Sequence, residues 1–317
     1  MGLISSPDRS AARAVVLGTF DGVHRGHVAL IGELKRYAAE LGAVPSVVTF
    51  RENPITILMP DAAPQALMSP RSKAGILLRH VPDVIMLDFD EHLRGLSARD
   101  FLAMLRDDYG VAGFMAGYDT RFGSDLADAS HGLLQTAGDL GLDFRVADSY
   151  VEVSDPPQRV SSSSIRCYVA DGDMESASLM LGYNYAVAGT VEGGSRIGRT
   201  IGFPTANVSP EYDVVIPANG VYAAVAHMPD GSRYEAMVNV GMRPTVTSDN
   251  AGVARIEAHI LDFSGDIYGQ RISVEFVRRI RSECKFASLD ELRRQLERDE
   301  ACVRSLLSGI NRGGAGR

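Results

Sequence analysis

The hydrophobic pattern of this chain changes character once along its length. In the first half, short apolar runs such as residues 14–17 and 47–50 predict buried strands, and helical spacing of apolar residues over 26–41 predicts a helix between them. Strands that alternate with helices form a parallel sheet covered on both faces. The first half therefore predicts an open parallel α/β domain, which binds ligands at the carboxyl ends of its strands. Residues 1–6 predict a frayed start.

The second half instead predicts strands that are punctuated at short spacing by Gly, Pro, Asn and Asp. The predicted strands cover residues 185–191, 200–208, 220–227, 234–240, 255–261 and 271–276. Strands in this number and spacing predict a closed antiparallel barrel. Ser288 and Glu291 form a capping box that starts a last helix, which runs to about residue 307.

Length and composition bound the class of protein. The 317 residues suggest two domains, which we place at 1–183 and 184–310, followed by a disordered tail over 311–317. The net charge of −8 argues against a general binder of nucleic acid or membrane surfaces, but it leaves room for a local site that binds small anions. The cysteines are scattered without a C-x-x-C pair, which indicates neither a disulfide framework nor a zinc site and favours the cytoplasm.

One segment of the second half combines residue types that suit a bound phosphate. In sequence order it is Gly198, Arg199, Thr200, Ile201, Gly202, Phe203, Pro204, Thr205, Ala206 and Asn207. Glycines let a backbone approach a ligand closely, and Thr205 and Asn207 on an extended segment turn uncharged oxygens to one side. Mg²⁺ takes oxygen ligands and shares them with substrate phosphates. The segment predicts a clamp for metal and phosphate, while a Gly-Pro turn followed by a capping Asn explains these residues equally well.

The link between the first predicted strand and the first predicted helix contains two histidines. In sequence order it is Gly18, Thr19, Phe20, Asp21, Gly22, Val23, His24, Arg25, Gly26 and His27. Histidines three apart lie on one helical face, and a helix N-terminus offers free N–H groups and a positive dipole end. The pair predicts a polyphosphate site in which both imidazoles donate hydrogen bonds to a leaving pyrophosphate. A zinc pair without a third nearby ligand and a polar turn with two surface histidines are the alternatives.

These segments carry a family resemblance. His-x-Gly-His after a first strand resembles the nucleotidyltransferase superfamily, and the whole string over 18–27 resembles the bacterial bifunctional riboflavin kinase/FMN adenylyltransferases, also called FAD synthetases. The Pro-Thr-Ala-Asn segment resembles the kinase half of the same family. Further resembling segments, in the expected order, are 220–222, 239–245, 257–263, 266–269 and 281–286. The resemblance covers residues 13–307.

The resemblance implies a Rossmann-like nucleotidyltransferase domain followed by a six-stranded antiparallel β-barrel with a terminal helix. The barrel would phosphorylate riboflavin to FMN, with Glu257 taking the proton from the terminal ribityl hydroxyl and with Thr205 and Asn207 holding Mg²⁺. The first domain would transfer AMP from ATP to FMN, giving FAD and pyrophosphate, with His24 and His27 stabilising the developing charge. Without its neighbours, Glu257 would be interpreted as a surface carboxylate on a strand.

Other residues are assigned to ligands by the resemblance. ATP and its phosphates would be bound by Gly18, Phe20, Asp21, Gly26, Asp119, Ser161, Ser162, Ser163, Arg166, Gly198, Arg199, Gly202 and Pro204. Arg281 and Phe286 would border the flavin. The implied partners are the small molecules ATP, riboflavin and FMN, with Mg²⁺ as cofactor and with neither nucleic acid nor membrane. An oligomer is left open.

The first half departs from the family pattern in three places. Residues 50–54 stand where the family has Asp-Pro-His-Pro, Thr120 replaces an aromatic residue, and Ser163 and Ser164 replace a threonine and an arginine. A charge-assisted hydrogen bond contributes about 1.5–3 kcal/mol, or roughly one to two orders of magnitude in rate. We favour an active adenylyltransferase because the histidine string is intact. The alternatives are a riboflavin kinase with an inactive first domain, a first domain with another acceptor, and a non-catalytic flavin-binding protein.

Overall fold

The computed structural model describes residues 2–117, 121–123, 127–128, 132–147, 152–153, 158–193, 198, 201–242 and 254–311. The chain forms two compact units, one of Met1–Ala66 with Pro70–Ser162 and one of Leu67–Ser69 with Ser163–Arg317. The expected domain boundary at residues 183 and 184 stays a prediction, and the expected disordered tail lies beyond the described residues from 312 onward. Over the described ranges, no helix has the length and apolar character needed to cross a membrane.

The first unit is a parallel α/β domain. Its strands are β1 (Leu3–Ile4), β2 (Arg13–Leu17), β3 (Val44–Phe50), β4 (Asp83–Leu87), β5 (Val111–Gly117), β6 (Arg121–Phe122), β7 (Ala127–Asp128), β8 (Asp143–Ala147), β9 (Glu152–Val153) and β10 (Gln158–Arg159). Its helices are α1 (Arg25–Leu41), α2 (Pro54–Leu58), α3 (Pro70–Leu77), α4 (Glu91–Gly95), α5 (Ala98–Tyr109) and α6 (Gly132–Asp139), with a 3-10 turn at Pro60–Ala62. Six strands form one sheet in the order β1-β4-β3-β2-β5-β8, in which every neighbouring pair is parallel.

Local sequence explains how α1 covers this sheet. The apolar residues that repeat at helical spacing place Ile31, Leu34 and Tyr37 on one buried face. The helix ends at Gly42, which adopts the left-handed conformation with φ 63° and donates its N–H to the last turn. The same strand–helix–strand arrangement carries the first candidate site, because the loop that enters α1 leaves the carboxyl end of β2.

The chain start is held to the sheet edge. Leu3 pairs with Val84 of β4 in parallel register. Asp83 Oδ1 accepts a hydrogen bond from the Gly2 N–H at 3.0 Å, and Asp83 Oδ2 accepts one from Arg13 Nε at 3.0 Å. Both members of this ion pair are buried, with Arg13 1% and Asp83 2% exposed. The expectation of a frayed start is therefore wrong, because a buried partner distant in sequence fixes the segment.

The second unit contains a closed six-stranded barrel. It begins with helices α7 (Ser162–Asp171) and α8 (Met174–Leu181), continues through strands β11 (Ala186–Glu192), β12 (Ala206–Pro210), β13 (Gly220–His227), β14 (Arg233–Met242), β15 (Ala254–Ile260) and β16 (Arg271–Arg281), and ends in helix α9 (Leu289–Asn311). The barrel order is β11-β12-β15-β14-β13-β16, and all of its pairs are antiparallel. Together with the parallel sheet, this barrel and its terminal helix confirm the predicted fold class.

One predicted strand begins later than expected. The pattern predicts a strand over 200–208, but β12 starts at Ala206. The carbonyl oxygen of Gly198 accepts backbone N–H groups from Ile201 at 3.2 Å and Phe203 at 2.8 Å, and Gly202 adopts φ 87°. A tight loop therefore replaces the first half of the expected strand, because Gly202 takes a conformation that side-chain-bearing residues avoid.

Helix α9 packs against the barrel through its apolar face. Val303 and Leu307 belong to a buried cluster with Phe203 and Val221. One half of the predicted capping box is confirmed, since the Glu291 N–H donates to Ser288 Oγ at 3.2 Å. The return bond differs from the standard motif, because the Glu291 carboxylate accepts the N–H of Ala287 at 3.0 Å instead of that of Ser288. This packing brings α9 alongside the loop that carries Phe203 and the second candidate site.

Candidate active sites

A row of polar side chains crosses one face of the barrel. Asn207 of β12 lies opposite Glu257 of β15, and Glu257 lies opposite Asn239 of β14. Directly opposed residues of antiparallel strands point to the same face of the sheet. With Thr205 and Arg281, these residues line a cavity of about 410 Å³. The structure thus adds Asn239 to six residues that the sequence assigns to the kinase site and that line this cavity, namely Gly198, Thr205, Asn207, Glu257, Arg281 and Phe286.

Hydrogen bonds hold this row in place. Arg255 Nε donates to Asn207 Oδ1 at 2.7 Å, and Arg255 Nη2 contacts Glu257 Oε1 at 2.8 Å. Asn239 Nδ2 donates to Glu283 Oε1 at 3.3 Å. Only 25% of the Glu257 side chain is exposed. Glu257 is therefore a cavity-lining carboxylate between two amides and beside a cation.

The loop before β12 forms one wall of the cavity. A Cβ atom on Gly198 would meet the Phe203 carbonyl oxygen at 2.2 Å and Thr205 Oγ1 at 3.7 Å, so this position leaves no room for a side chain. The Pro204 carbonyl accepts a hydrogen bond from His259 Nδ1 at 2.7 Å, which places that ring proton on Nδ1. These contacts fix the backbone around Thr205, and the predicted phosphate residue Arg199 lies outside the described part of this loop.

A second cavity of about 610 Å³ adjoins the first. Its lining includes Pro204, Thr205, Ile260, Phe263 and Tyr268. Thr205 lines both cavities. The other lining residues of the two cavities lie on opposite faces of the β12–β15 pair, because Ala206 and Ala258 line one cavity and Asn207 and Glu257 line the other.

A buried carboxylate on α9 orients Arg281, one of the two residues that the sequence assigns to flavin. Asp299 accepts hydrogen bonds from Arg281 Nε at 2.9 Å and Arg281 Nη2 at 2.7 Å, and Gln295 Nε2 donates to Asp299 Oδ1 at 2.8 Å. The Arg281 guanidinium then lies 5.9 Å from the Phe286 ring centroid. Burial alone would lower the pKa of Arg281, but the bonds to Asp299 raise it. Arg281 and Phe286 thus reach the cavity as one supported unit.

Asp299→Asn is expected to raise the KM for riboflavin about tenfold with a smaller change in kcat, because Arg281 loses the carboxylate that aims it toward Phe286. Breaking a buried pair also costs about 3–5 kcal/mol of unfolding free energy. Steady-state kinase assays and thermal unfolding of the full chain measure both effects. Asp262→Asn is the matched control, because Asp262 pairs with Arg304 of the same helix but is 75% exposed. An equal riboflavin KM in the two variants contradicts the assignment.

The loop between β2 and α1 brings the two histidines together. Phe20 and Val23 adopt positive φ values of 50° and 35°, which are rare for such residues and are maintained only by the surrounding structure. His24 then caps α1, since its Nδ1 accepts the His27 backbone N–H at 3.3 Å. The imidazole rings stack with centroids 3.7 Å apart and an interplanar angle of 11°. The predicted pairing of both rings on one face is present.

This stacking argues against a shared metal ion. A metal bound to an imidazole nitrogen lies near the plane of that ring. Two nearly parallel rings with centroids 3.7 Å apart share no such plane. In the described ranges, no group of three or more His, Cys, Asp and Glu side chains is placed to hold a metal ion. The geometry therefore favours the phosphate interpretation of His24 and His27 over the zinc interpretation.

Both imidazoles are neutral in the free protein near pH 7. Burial lowers the pKa of His24 to about 4. Burial also holds the pKa of His27 well below its usual value, and the charges of His24 and Lys73 add to the effect. Because His24 Nδ1 accepts an N–H, the ring proton of neutral His24 is on Nε2. His24 therefore offers an N–H donor rather than a positive charge.

The folded protein is expected to lose stability as the pH falls from about 6.5 toward 4. The folded pKa of His24 is about 4 against a usual value of 6.5, so the unfolded chain binds more protons in this window and stability falls with decreasing pH. The shift corresponds to about 3 kcal/mol for His24. Thermal unfolding of the full chain across this range measures the loss. His24→Gln removes one of the two histidines with a lowered pKa and is expected to make the profile less steep, and an equally steep profile would contradict this origin.

A buried lysine packs against residues 18–24, the loop between β2 and α1, which we call the histidine loop. Lys73 Nζ donates to the carbonyl oxygens of Thr19 at 3.1 Å and Phe50 at 2.6 Å. Burial lowers the pKa of Lys73 to about 8, and the charges of Asp21 and Glu52 oppose this shift. An ammonium group thus lies where β2 and β3 end, the edge at which open parallel sheets bind ligands.

Small residues let the loop close around His24. A Cβ on Gly26 would lie 3.1 Å from His24 Cε1, and a Cβ on Gly18 would lie 3.0 Å from Phe20 Cε2. Ser162 Oγ donates to the Asp21 carbonyl oxygen at 2.8 Å. Of the predicted ATP residues, Gly18, Phe20, Asp21, Gly26 and Ser162 therefore lie in or against the histidine loop.

Four further residues of the first half are predicted to bind ATP, namely Asp119, Ser161, Ser163 and Arg166. Ser161 precedes α7, Ser163 is exposed on its first turn, and Arg166 is half-buried one turn further on. Asp119 and the altered position Thr120 lie outside the described residues. The roles of these residues stay predictions.

The segment without the family's histidine has a structural role here. Asn53 caps α2, since its Oδ1 accepts the Ile55 N–H at 3.3 Å. Arg51 Nε pairs with Asp88 Oδ1 at 2.7 Å on the surface. The departure therefore leaves a well-formed turn at the end of β3.

Several supporting residues were not among the predicted sites. The sequence contained a signal for three of them. Two, Asn239 and Glu283, lie inside segments that resemble the family, and Arg255 lies two residues before Glu257, on the same face of its strand. Lys73 and Asp299 gave no signal, because their partners are distant in sequence. The missed residues are Lys73, Asn239, Arg255, Glu283 and Asp299.

Comparison with known proteins places each half in a family. Residues 181–307 match the riboflavin kinase model, and residues 6–164 match the FAD synthetase model. The bifunctional riboflavin kinase/FMN adenylyltransferase of Pseudomonas fluorescens is 38% identical over 92% of this chain and 91% of its own length. The protein of the same name from Bacillus subtilis (strain 168) is 34% identical over 92% of each chain.

A solved structure extends the likeness to the whole fold. It is described as a macrolide-efflux protein from Streptococcus pneumoniae, is 32% identical, and superimposes with a TM-score of 0.83 over 95% of this chain and 98% of its own. Fold and sites together define a transferase with a kinase half and a nucleotidyltransferase half. The chain belongs to the family of bifunctional riboflavin kinase/FMN adenylyltransferases. The predicted family and the predicted pair of activities are thereby confirmed, and ATP, riboflavin and FMN fit as substrates.

Proposed function

We propose that the cavity beside Glu257 binds riboflavin and that Glu257 is the general base of the kinase reaction. The observation that carries this assignment is the row of Asn207, Glu257 and Asn239 on one face of the barrel. It places a carboxylate in the cavity that Arg281 and Phe286 border. The cavity that shares Thr205 with this one would hold the nucleotide.

The kinase step then follows from this arrangement. The terminal ribityl hydroxyl oxygen forms a bond to the γ-phosphorus of ATP as the bond to the bridging β-phosphate oxygen breaks, and ADP leaves. The hydroxyl proton passes to Glu257, which needs to accept it only as the phosphoryl bond forms. Gly198 and Gly202 let the loop backbone approach the phosphates, since one has no space for a side chain and the other adopts φ 87°.

Thr205 and Asn207 would hold Mg²⁺. The donor set fits this ion, because a hydroxyl and an amide oxygen are hard ligands and Mg²⁺ completes its shell with substrate phosphates. Asn207 Oδ1 already faces a positive group at 2.7 Å, which indicates that this oxygen is placed for a cation. When bound, the metal would neutralise charge on the transferring phosphates.

The histidine loop would bind the ATP that donates AMP. A phosphate oxygen of FMN attacks the α-phosphorus of ATP, a new phosphoanhydride bond forms, and pyrophosphate leaves with its electron pair. His24 would donate from Nε2–H to the developing charge, while the α1 N-terminus and the Lys73 ammonium supply positive potential. The scattered cysteines favour a cytoplasmic setting for these reactions.

Flavin separation after incubation with Mg-ATP tests the assignment. One incubation starts from riboflavin and another from FMN. FMN from the first and FAD from the second are expected. FMN without any FAD would identify a riboflavin kinase whose first domain is inactive, and unchanged riboflavin would overturn the kinase assignment.

A further inference from the structure

Arg255 of β15 makes contacts to which the proposed kinase step gives no role. Its guanidinium contacts both the proposed metal ligand Asn207 and the proposed general base Glu257. Arg255 Nε lies 2.7 Å from Asn207 Oδ1, and Nη2 lies 2.8 Å from Glu257 Oε1. Its side chain is 30% exposed, so solvent reaches the group. One cation therefore engages both the proposed metal ligand and the proposed base.

A guanidinium and a divalent cation cannot share Asn207 Oδ1 without strong repulsion. Arg255 Nε lies 2.7 Å from this oxygen, and Mg²⁺ binds oxygen at about 2.1 Å. The two positive groups would be at most about 5 Å apart, in a cavity where charges are screened less than in water. Binding of the metal at Asn207 therefore requires the guanidinium to move away.

Movement of Arg255 also changes Glu257. Glu257 Oε1 accepts the charge-assisted contact from Arg255 Nη2 at 2.8 Å, so the guanidinium occupies an acceptor position of this oxygen. Release of the guanidinium from Asn207 breaks a two-point contact, so the contact with Glu257 weakens at the same time. The base thus becomes available when the metal arrives.

We propose that Arg255 is a positioning residue that occupies the cation position of the free kinase site and couples metal binding to release of Glu257. This inference rests on the proposed roles of Asn207 and Glu257. It concerns a cation exchange, in which Arg255 leaves as the metal–nucleotide complex enters and no covalent bond changes. A site built this way keeps its base engaged until the phosphoryl donor is in place.

Mn²⁺ binding to the full chain, followed by electron paramagnetic resonance without nucleotide, tests the exchange. The kinase-site component is defined as the binding that Thr205→Val removes. Arg255→Gln is expected to tighten this component about tenfold, because the competing charge-assisted contact is lost. Arg255→Lys keeps a positive charge and is expected to stay nearer to wild type, and Arg271→Gln, which breaks the separate pair with Glu211, is expected to change nothing.

A kinetic readout accompanies the binding measurement. The Mg²⁺ concentration that half-saturates riboflavin phosphorylation is expected to fall in Arg255→Gln by a similar factor, and riboflavin fluorescence quenching reports that the cavity is intact. Unchanged or weaker Mn²⁺ binding in Arg255→Gln overturns the exchange, and loss of kinase activity with unchanged Mn²⁺ binding assigns Arg255 to the phosphates instead. Absence of any Mn²⁺ component sensitive to Thr205→Val overturns the metal assignment itself and the exchange with it.

Discussion

Glu257→Gln is expected to lower the rate of riboflavin phosphorylation by about 10²–10⁴-fold, the usual contribution of a positioned general base. Glutamine keeps the size and hydrogen-bonding shape of the side chain in the row between Asn207 and Asn239, but it cannot accept the ribityl proton. The conversion of FMN to FAD is expected to stay at the wild-type rate, because that reaction uses the histidine loop. Separate assays that start from riboflavin and from FMN measure the two rates.

Glu235→Gln is the matched control for this substitution. Glu235 is a carboxylate on β14, opposite Val225, and it does not line the cavity that contains Glu257. We expect it to retain both activities. A loss of less than tenfold in Glu257→Gln, with the pH profile of the kinase unchanged, would remove Glu257 from the role of base.

His24→Ala is expected to lower FMN adenylylation by about 10²–10³-fold, the cost of removing one donor to developing charge. His24 both offers Nε2–H and caps α1 through Nδ1, so the variant also loses about 1 kcal/mol of capping free energy. His27→Ala removes the stacked partner at 3.7 Å while it keeps the cap. Pyrophosphate release from ATP and FMN measures both variants, and riboflavin phosphorylation is expected to be unchanged in each.

His92→Ala provides the control within the same domain, since His92 is an exposed residue in the last turn of α4. Its adenylylation rate is expected to match wild type. Equal rates of FMN adenylylation in His24→Ala, His27→Ala and His92→Ala would contradict the proposed site. The half-buried Arg166 on α7 would then be the next residue to substitute.

The fold was predictable because its signals are local. Buried strands such as Val111–Gly117 and amphipathic helices such as α1 are specified by residues within one or two turns of each other. The frayed start was a wrong prediction for the opposite reason. Asp83 holds both Gly2 and Arg13, and no local pattern reports a partner 70 or more positions away.

The residues of the candidate sites also fall into those specified by local sequence and those specified by tertiary contacts. His24 and His27 could be paired from their spacing, because helical periodicity places them on one face. The position of Arg255 between Asn207 and Glu257 depends on the register of β12 against β15, which is set by pairing across the barrel. Asp299 reaches Arg281 only because α9 packs beside β16. Residues that act through tertiary neighbours therefore needed the structure.

Closure of the barrel has a consequence for how the chain is made. The first barrel strand, β11, completes its pairing with β16, where Ala186 faces Glu275 and Thr190 faces Arg271. Every strand of the parallel sheet, in contrast, has its partner by Ala147. During synthesis from the N-terminus, all strands of the parallel sheet are made before the barrel begins. Strand β11, in contrast, is made well before its partner β16. Because distant pairings form slowly, the unpaired edge of β11 is the part of the nascent chain most in need of protection from other strands.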